Sequence, residues 1–413
     1  MSRPNSVCVI GLGYIGLPTA AILACNGVRV HGTDISTNTV ETVNQGKVPF
    51  VEPALADYLL QAVQAGQLTA STSVQAADAY VIAVPTPIRA DKSADLDAVR
   101  AASEALAAVV ASGDLVILES TSPPGTTEAV GRWIVASRPD LVGADGSIDL
   151  LLAHCPERVL PGKIMTELVD NDRIVGGITP AAAAAGADLY RVFCRGQLLL
   201  TDARTAELAK LVENSYRDVN IAFANELSLI CHHLGIDVRE LIELSNHHPR
   251  VEILQPGPGV GGHCLAVDPY FIVEADPVNS RLIATARAVN SAKPAWVVDQ
   301  VLAAVTSETP TIATLGLAFK PNIDDLRESP SIEITAQLAG RLPQGKILAV
   351  EPHVTSLPAS LAGLSNVTLV TLPEALAAAD VVAVLVGHQA FTSPPAIAPD
   401  TKVVDVIGLW QRS

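Results

Sequence analysis

One thiol stands behind a run of glycines, in Gly257-Pro258-Gly259-Val260-Gly261-Gly262-His263-Cys264. Glycine lets backbone approach a ligand closely and takes positive φ without steric cost. A cysteine just past such a loop is placed to open a helix, where unpaired N–H groups favour the thiolate. The thiolate is the form that attacks a carbonyl carbon. Asp268 follows four residues later, one helical turn on, so both side chains can share a face. The competing role for Cys264 is the ordinary one, a small buried hydrophobe. A second set of polar groups lies on residues 205–234, which hold neither proline nor glycine and read as one long helix. Lys210, Asn214 and Arg217 fall at i, i+4 and i+7 and share a face. Leu208, Leu211, Val212, Val219, Ile221, Phe223 and Leu227 are expected to pack on the other faces, turning the basic stripe toward a pocket. A donor-rich loop follows, Ser245-Asn246-His247-His248-Pro249-Arg250. Its paired histidines lack carboxylate and thiol partners at ligand spacing, so no metal is expected.

The elements that must position these groups are α/β. Residues 6–10 form a short apolar strand ending in Gly11-Leu12-Gly13-Tyr14-Ile15-Gly16, with a helical pattern through Ala24, a second strand over 28–33 and then Asp34. Strand, glycine turn, helix, strand, acid is a dinucleotide-binding order. Gly11 makes the tight turn, Gly13 lets a pyrophosphate approach backbone, and Gly16 allows close helix–strand packing. The helix N-terminus attracts the phosphates. Asp34 can accept from both ribose hydroxyls and would repel a 2′-phosphate, which favours NAD over NADP. Further strands are expected over 79–84, 115–118 and 150–153, ending in Pro85-Thr86-Pro87, Glu119-Ser120-Thr121 and His154-Cys155-Pro156-Glu157-Arg158. Polar residues thus collect at the carboxyl ends of parallel strands, where open sheets bind ligands. After Val289 the pattern restarts, with strands expected over 311–317, 346–350, 380–386 and 402–406 and a helix opened by Ser331. The expected architecture is an N-terminal Rossmann-like domain (1–198), a central all-helical dimerisation region (199–295) and a C-terminal second Rossmann-like domain (296–413).

Composition narrows the function classes. The 413 residues are 49% hydrophobic and 17% charged, so the chain is globular. A net charge of −16 argues against a general nucleic-acid binder, and an anionic substrate would need a local basic pocket. Six scattered cysteines without a C-x-x-C pair fit reduced thiols and a cytoplasmic location. No signal pattern and no membrane-spanning apolar run are evident.

The motifs Gly-Leu-Gly-Tyr-Ile-Gly-Leu-Pro at 11–18, Pro-Thr-Pro at 85–87, Glu-Ser-Thr at 119–121, Gly-Gly-His-Cys at 261–264 and Phe-Lys-Pro with Asp-Asp-Leu-Arg-Glu-Ser-Pro at 319–330 resemble the UDP-glucose/GDP-mannose dehydrogenase superfamily. Within it, Cys155-Pro156-Glu157-Arg158-Val159-Leu160-Pro161-Gly162 and residues 263–269 are most similar to the UDP-N-acetyl-D-mannosamine dehydrogenase branch. The resemblance implies an NAD-dependent oxidation of a nucleotide sugar at C6, from alcohol to carboxylate, through a Cys264 thiohemiacetal and thioester. It implies that Lys210 handles the alcohol proton, with Asn214 as a second donor, Asp268 orienting a water or Lys210, and Glu157 assisting hydrolysis. For NAD it implies Gly11, Gly13, Tyr14, Ile15, Gly16, Asp34, Thr86, Thr121 and Arg327. For the UDP-sugar it implies Arg158, Val159, Lys210, Asn214, Arg217, Gly261 and Lys320. His248 and Arg250 are implied to reach the substrate of a neighbouring subunit, in a homodimer built on the long helix. The C-terminal domain would hold the UDP moiety. Alternatives are the same reaction on UDP-GlcNAc or UDP-glucose, and more distantly a two-electron β-hydroxyacid dehydrogenase, which needs neither Cys264 nor the C-terminal third. One departure from the family pattern is Ile407, which stands where an arginine is expected.

Overall fold

The computed structural model describes residues 4–50, 52–160, 162–262, 264–393 and 397–410. Two residues of the motifs above, Pro161 and His263, lie outside them. The chain divides into two compact units, Met1–Glu213 with Tyr270–Asp276, and Asn214–Pro269 with Pro277–Ser413.

Among its described residues the first unit holds an eight-stranded sheet. The strands are β1 (Ser6–Ile10), β2 (Arg29–Thr33), β3 (Leu68–Ser71), β4 (Ala79–Ile82), β5 (Leu115–Leu118), β6 (Leu151–His154), β7 (Arg173–Gly177) and β8 (Leu198–Asp202). Their order is β3-β2-β1-β4-β5-β6-β7-β8. Apolar runs such as Ala79–Ile82 and Leu115–Leu118 are buried throughout, as a sheet covered by helices on both faces requires. The strand order reverses between β1 and β4, which opens a crevice at their carboxyl ends. The sheet is not parallel throughout: β7 runs antiparallel to β6, and β8 follows β7 in parallel. The reversal follows from the return of the chain after residues 155–172, and no strand signal in the sequence carries a direction.

The second unit carries a five-stranded parallel sheet among its described residues: β9 (Thr311–Leu315), β10 (Lys346–Val350), β11 (Val367–Leu369), β12 (Val381–Val384) and β13 (Lys402–Asp405). The order is β11-β10-β9-β12-β13, with its own reversal between β9 and β12. The long helix is Ala203–Leu234. Its packing differs from the expectation. Leu211 is buried, but Phe223 is 52% exposed, and Leu208 and Val212 are exposed as well. The buried residues of 214–234 include Ala222, Ala224 and Cys231, but also the polar Asp218, Asn225 and Ser228, which bond the helix Arg281–Ala303. Asp218 pairs with Arg287 at 2.5 Å, Asn290 donates to Asp218 at 2.8 Å, and Asn225 donates to Asn290 at 2.8 Å. Lys293 donates to Ser228 and lies 3.8 Å from the centroid of the Trp296 ring. Buried polar groups must find partners, so this helix pair is matched by charge and amide geometry and leaves apolar side chains outward.

Candidate active site

In the first unit the glycine turn sits at the end of β1. Gly11 has φ +96°, and its N–H donates to Thr33 at 2.7 Å. A Cβ on Gly16 would lie 1.9 Å from the Gly11 carbonyl oxygen, so only glycine lets the helix Gly16–Cys25 start this close to the strand. A Cβ on Gly13 would meet nothing within 4 Å, so the open side of the turn is there. The helix has no side-chain cap at Ile15 and no acid in its first turn, which suits an incoming anion. Asp34 accepts from Leu12 N–H and Ser36 N–H, both at 2.9 Å. Each of its oxygens has further acceptor capacity for a ribose hydroxyl. The Tyr14 ring stacks on Phe50 at 4.2 Å. Thr86 donates to the Thr121 carbonyl at 2.5 Å, tying together the loops after β4 and β5. A cradle that a Cβ would fill, a bare helix N-terminus and a carboxylate at the ribose position fit a dinucleotide.

The loop after β6 meets the long helix. Lys210 Nζ donates to the Glu157 carbonyl at 2.7 Å. The Glu157 carboxylate is engaged twice, by Arg173 at 2.6 Å and by the N–H of Arg158 at 2.7 Å. Arg158 pairs with Glu213 at 2.7 Å, and Val159 packs against the core of the unit. Arg173 also faces Glu119 at 3.9 Å, and its guanidinium lies 4.7 Å from the Tyr190 ring centroid. One buried cation thus serves two buried carboxylates. Burial pushes Glu119 up to about 7, with Arg173 and the hydroxyls of Tyr190 and Thr19 opposing and Glu157 reinforcing the rise. Burial pushes the Cys155 thiol up to about 12, which removes it as a nucleophile at neutral pH. Burial and the nearby Lys210 charge push His154 down to about 3. Arg173 was not singled out in the sequence. Its only signal is an arginine at the head of an otherwise apolar strand.

In the second unit, Cys264 opens a turn rather than the helix itself. Its carbonyl accepts from Val267 N–H at 3.0 Å and Asp268 N–H at 2.8 Å, and this turn runs into the helix Asp268–Ala275. Cys264 is half-buried and Asp268 is buried. Asn214 Nδ2 donates to Asp268 at 2.6 Å. Asn214, Asp268 and Cys264 are thereby brought together. The glycines before the thiol also answer to packing. A Cβ on Gly261 would lie 2.6 Å from the Glu328 carbonyl oxygen and 2.8 Å from Phe319 Cβ. Gly262 N–H donates to the Arg327 carbonyl at 3.3 Å. The segment carrying Lys320 and Arg327 therefore lies against the approach to Cys264. Lys320, Arg217, His248 and Arg250 are exposed, and Arg327 pairs with Asp325 at 2.6 Å. Asn246 brackets the loop of His248 and Arg250 through two hydrogen bonds to Ile253, at 2.8 and 3.0 Å. Ile407 is half-buried and packs into an apolar cluster with Leu409 and Trp410.

Sheet order, glycine turn and acidic strand end define a dinucleotide-binding α/β protein with a second α/β unit. Residues 5–194, 204–292 and 313–412 match the NAD binding, central and UDP binding domains of the UDP-glucose/GDP-mannose dehydrogenase family. The chain belongs to that family and is an NAD-dependent dehydrogenase. It is 53% identical over 420 residues to the UDP-N-acetyl-D-mannosamine dehydrogenase of Salmonella typhi, covering 98% of this chain and 99% of that one. It is 52% identical over 413 residues to the NDP-N-acetyl-D-galactosaminuronic acid dehydrogenase of Ralstonia nicotianae, covering 98% and 96%. Among solved structures, the UDP-D-ManNAc dehydrogenase of Pyrococcus horikoshii matches with a TM-score of 0.86 at 35% identity, over 99% and 96% of the two chains. Among the described residues no helix is long and apolar enough to cross a membrane.

Proposed function

We propose that the chain oxidises UDP-N-acetyl-D-mannosamine at C6 to UDP-N-acetyl-D-mannosaminuronate, consuming one water and reducing two NAD. The observation that carries this reading is a thiol and a buried carboxylate, Cys264 and Asp268, on one turn, with the long-helix Asn214 donating to that carboxylate. NAD supplies the hydride acceptor when bound at the Gly11 turn and Asp34. Thr86 and Thr121 hold the loop edge beside it, and Arg327 is a further contact for NAD. Lys210 spends one of its three N–H bonds on the Glu157 carbonyl and turns the others to the C6 oxygen, moving its proton and steadying the developing oxyanion. Asn214 is the second donor. The Cys264 thiolate adds to the aldehyde carbon as a thiohemiacetal. Loss of a second hydride leaves a thioester, and water releases the acid and the thiol. Asp268 orients that water. Glu157 assists hydrolysis by holding Lys210, since its own carboxylate is taken by Arg173.

Residues 1–198 hold the cofactor, 199–295 form the dimer, and 296–413 hold the UDP moiety. Arg158, Val159, Arg217, Gly261 and Lys320 line the sugar nucleotide. Tyr216, Phe223 and Ile230 recur every seven residues and are all exposed, which supports a helix-to-helix homodimer. His248 and Arg250 reach the substrate of the second subunit. NAD chemistry and scattered cysteines fit a cytoplasmic enzyme. A second reading keeps the chemistry and changes the N-acetylhexosamine epimer. It is favoured by the Ralstonia relative, which is as similar as the Salmonella one and carries another sugar in its name. Counting NADH per sugar across a panel of UDP-hexoses tests both. Two per UDP-N-acetylmannosamine supports the main reading, and no turnover with any of them refutes it. Cys264→Ser should lower acid formation at least about a thousandfold while NAD still binds.

A further inference from the structure

The second sheet has its own switch point between β9 and β12, and the crevice beyond such a point is where open α/β sheets bind ligands. Its turn repeats that of the first unit. Gly316 N–H donates to Val350 at 2.8 Å with φ +95°, as Gly11 N–H does to Thr33. Glu351, the first residue past β10, stands where Asp34 stands past β2. Its Oε2 accepts from the N–H groups of Leu317 at 2.7 Å and Ala318 at 3.0 Å. There the likeness ends. Asp34 is half-buried, whereas Glu351 is buried and His388 closes it off, with Nε2 3.0 Å from Oε2. His388, just past β12, has no exposed surface. Its Nδ1 accepts from the backbone N–H of Asn322 at 2.9 Å. That donor selects the tautomer: Nδ1 is the acceptor, so Nε2 carries the proton to Glu351.

Asn322 is in the left-handed region, with φ +61°, and its Oδ1 accepts from Gln389 N–H at 2.8 Å. On the other side, Phe319 N–H donates to the Asp325 carbonyl at 3.2 Å. Lys320 and Pro321 are the two residues between these pinned points, and Lys320 is exposed. Glu351 fixes the chain just before Lys320, and His388 fixes it just after. We propose that the Glu351–His388–Asn322 chain positions Lys320 for the sugar nucleotide, with His388 as the positioning residue. This rests on the assignment of Lys320 to the substrate made above. A metal ion is the competing occupant, because ligand atoms of Glu351, His353 and His388 lie within 4.8 Å of one another. A metal on Nε2 would put the ring proton on Nδ1, against the Asn322 N–H, and two donors cannot share that contact.

The two halves of the imidazole can be removed separately. The Gln side chain of His388→Gln reaches the Nε2 position and keeps the bond to Glu351, but leaves Asn322 N–H without its acceptor. The Asn side chain of His388→Asn places Oδ1 near the Nδ1 position and keeps Asn322. His388→Gln should raise KM for UDP-N-acetylmannosamine about tenfold, with kcat and KM for NAD within about twofold of the parent, and His388→Asn should recover most of that loss. In a Lys320→Ala background, His388→Gln should add no further rise in KM. If His388→Gln does not accumulate as folded protein, Asn322→Gly is used: exposed and tolerant of positive φ, it drops only the Gln389 contact and should also raise KM alone. Equal KM in His388→Gln and His388→Asn overturns the proposal, as does a parallel fall of kcat and NAD affinity. If Lys320→Ala itself leaves KM unchanged, the substrate assignment fails, and the proposal with it. If Lys320→Ala raises KM and His388→Gln does not, only the proposal fails.

Discussion

Glu119→Gln isolates the consequence of giving one buried guanidinium two buried carboxylates. Arg173 lies 2.6 Å from Glu157 and 3.9 Å from Glu119, and Glu119 has no exposed side-chain surface. The more distant carboxyl therefore carries the proton near neutrality, at about 7 against an ordinary value of 4.5, chiefly because burial penalises its charge. A group raised in the folded state contributes its full stability below its unfolded value and loses it as pH rises through the folded value. The parent should thus lose stability between about pH 4.5 and 7. The shift of roughly 2.5 units corresponds to about 3 kcal/mol, good to the order of magnitude. The amide of Glu119→Gln does not titrate. Its carbonyl can still accept from Tyr190, now bonded to Glu119 Oε1 at 2.7 Å, and its NH2 faces the Thr19 hydroxyl, now 3.3 Å from Oε2. Glu119→Gln should match the parent near pH 4.5 and exceed it by up to about 3 kcal/mol at pH 8. Urea unfolding at closely spaced pH values, followed by Trp133 fluorescence with the other two tryptophans (Trp296 and Trp410) replaced by phenylalanine in both proteins, measures this. A variant that loses stability with pH as steeply as its parent, or that is less stable at pH 8, refutes the one-cation, two-carboxylate account.

Other substitutions test neighbouring claims. Arg173→Met strands the Glu157 carboxylate that shapes the Lys210 anchor, and should cost about 3–5 kcal/mol at pH 8, read by the same unfolding assay, with a fall in kcat. Gly16→Ala places a Cβ 1.9 Å from the Gly11 oxygen. It should cost about 2–4 kcal/mol despite alanine's better helix propensity, and weaken NAD binding in a fluorescence titration. Lys293 is pushed down to about 7 by burial and then by the charge of Arg239. Its stabilising form is fully present above the ordinary value of 10.5 and lost as pH falls through 7, so Lys293→Met should be a few kcal/mol more stable at pH 7 and flatter from pH 7 to 10, by differential scanning fluorimetry. Phe223→Asp, at an exposed position of the long helix, should shift the protein toward monomer in analytical ultracentrifugation at micromolar concentration.

Much of the frame was legible in the chain. The strands Ser6–Ile10, Leu115–Leu118 and Lys346–Val350 coincide with the apolar runs that announced them, because buried parallel strands must be apolar and glycine or acidic turns bound them. The long helix was legible because no residue from 205 to 234 breaks it. That Cys264 and Asp268 lie on one turn was legible because four residues make one helical turn, a local rule, and Asp268 N–H donates to the Cys264 carbonyl. Other strands were not: β3, β8 and β11 lie at or near sheet margins and offer short or partly exposed runs. The antiparallel entry of β7 depends on where the chain returns, and local pattern holds no direction. Arg173 meets Glu157 from 16 residues away, Asn214 meets Asp268 from 54, and His388 meets Asn322 from 66. Which charges and amides share a buried contact depends on how the backbone stacks, and a burial penalty exists only once water has been excluded. The candidate site residues were therefore named by sequence, while the buried contacts around them, Arg173 on Glu157 and His388 between Glu351 and Asn322, were decided by tertiary structure.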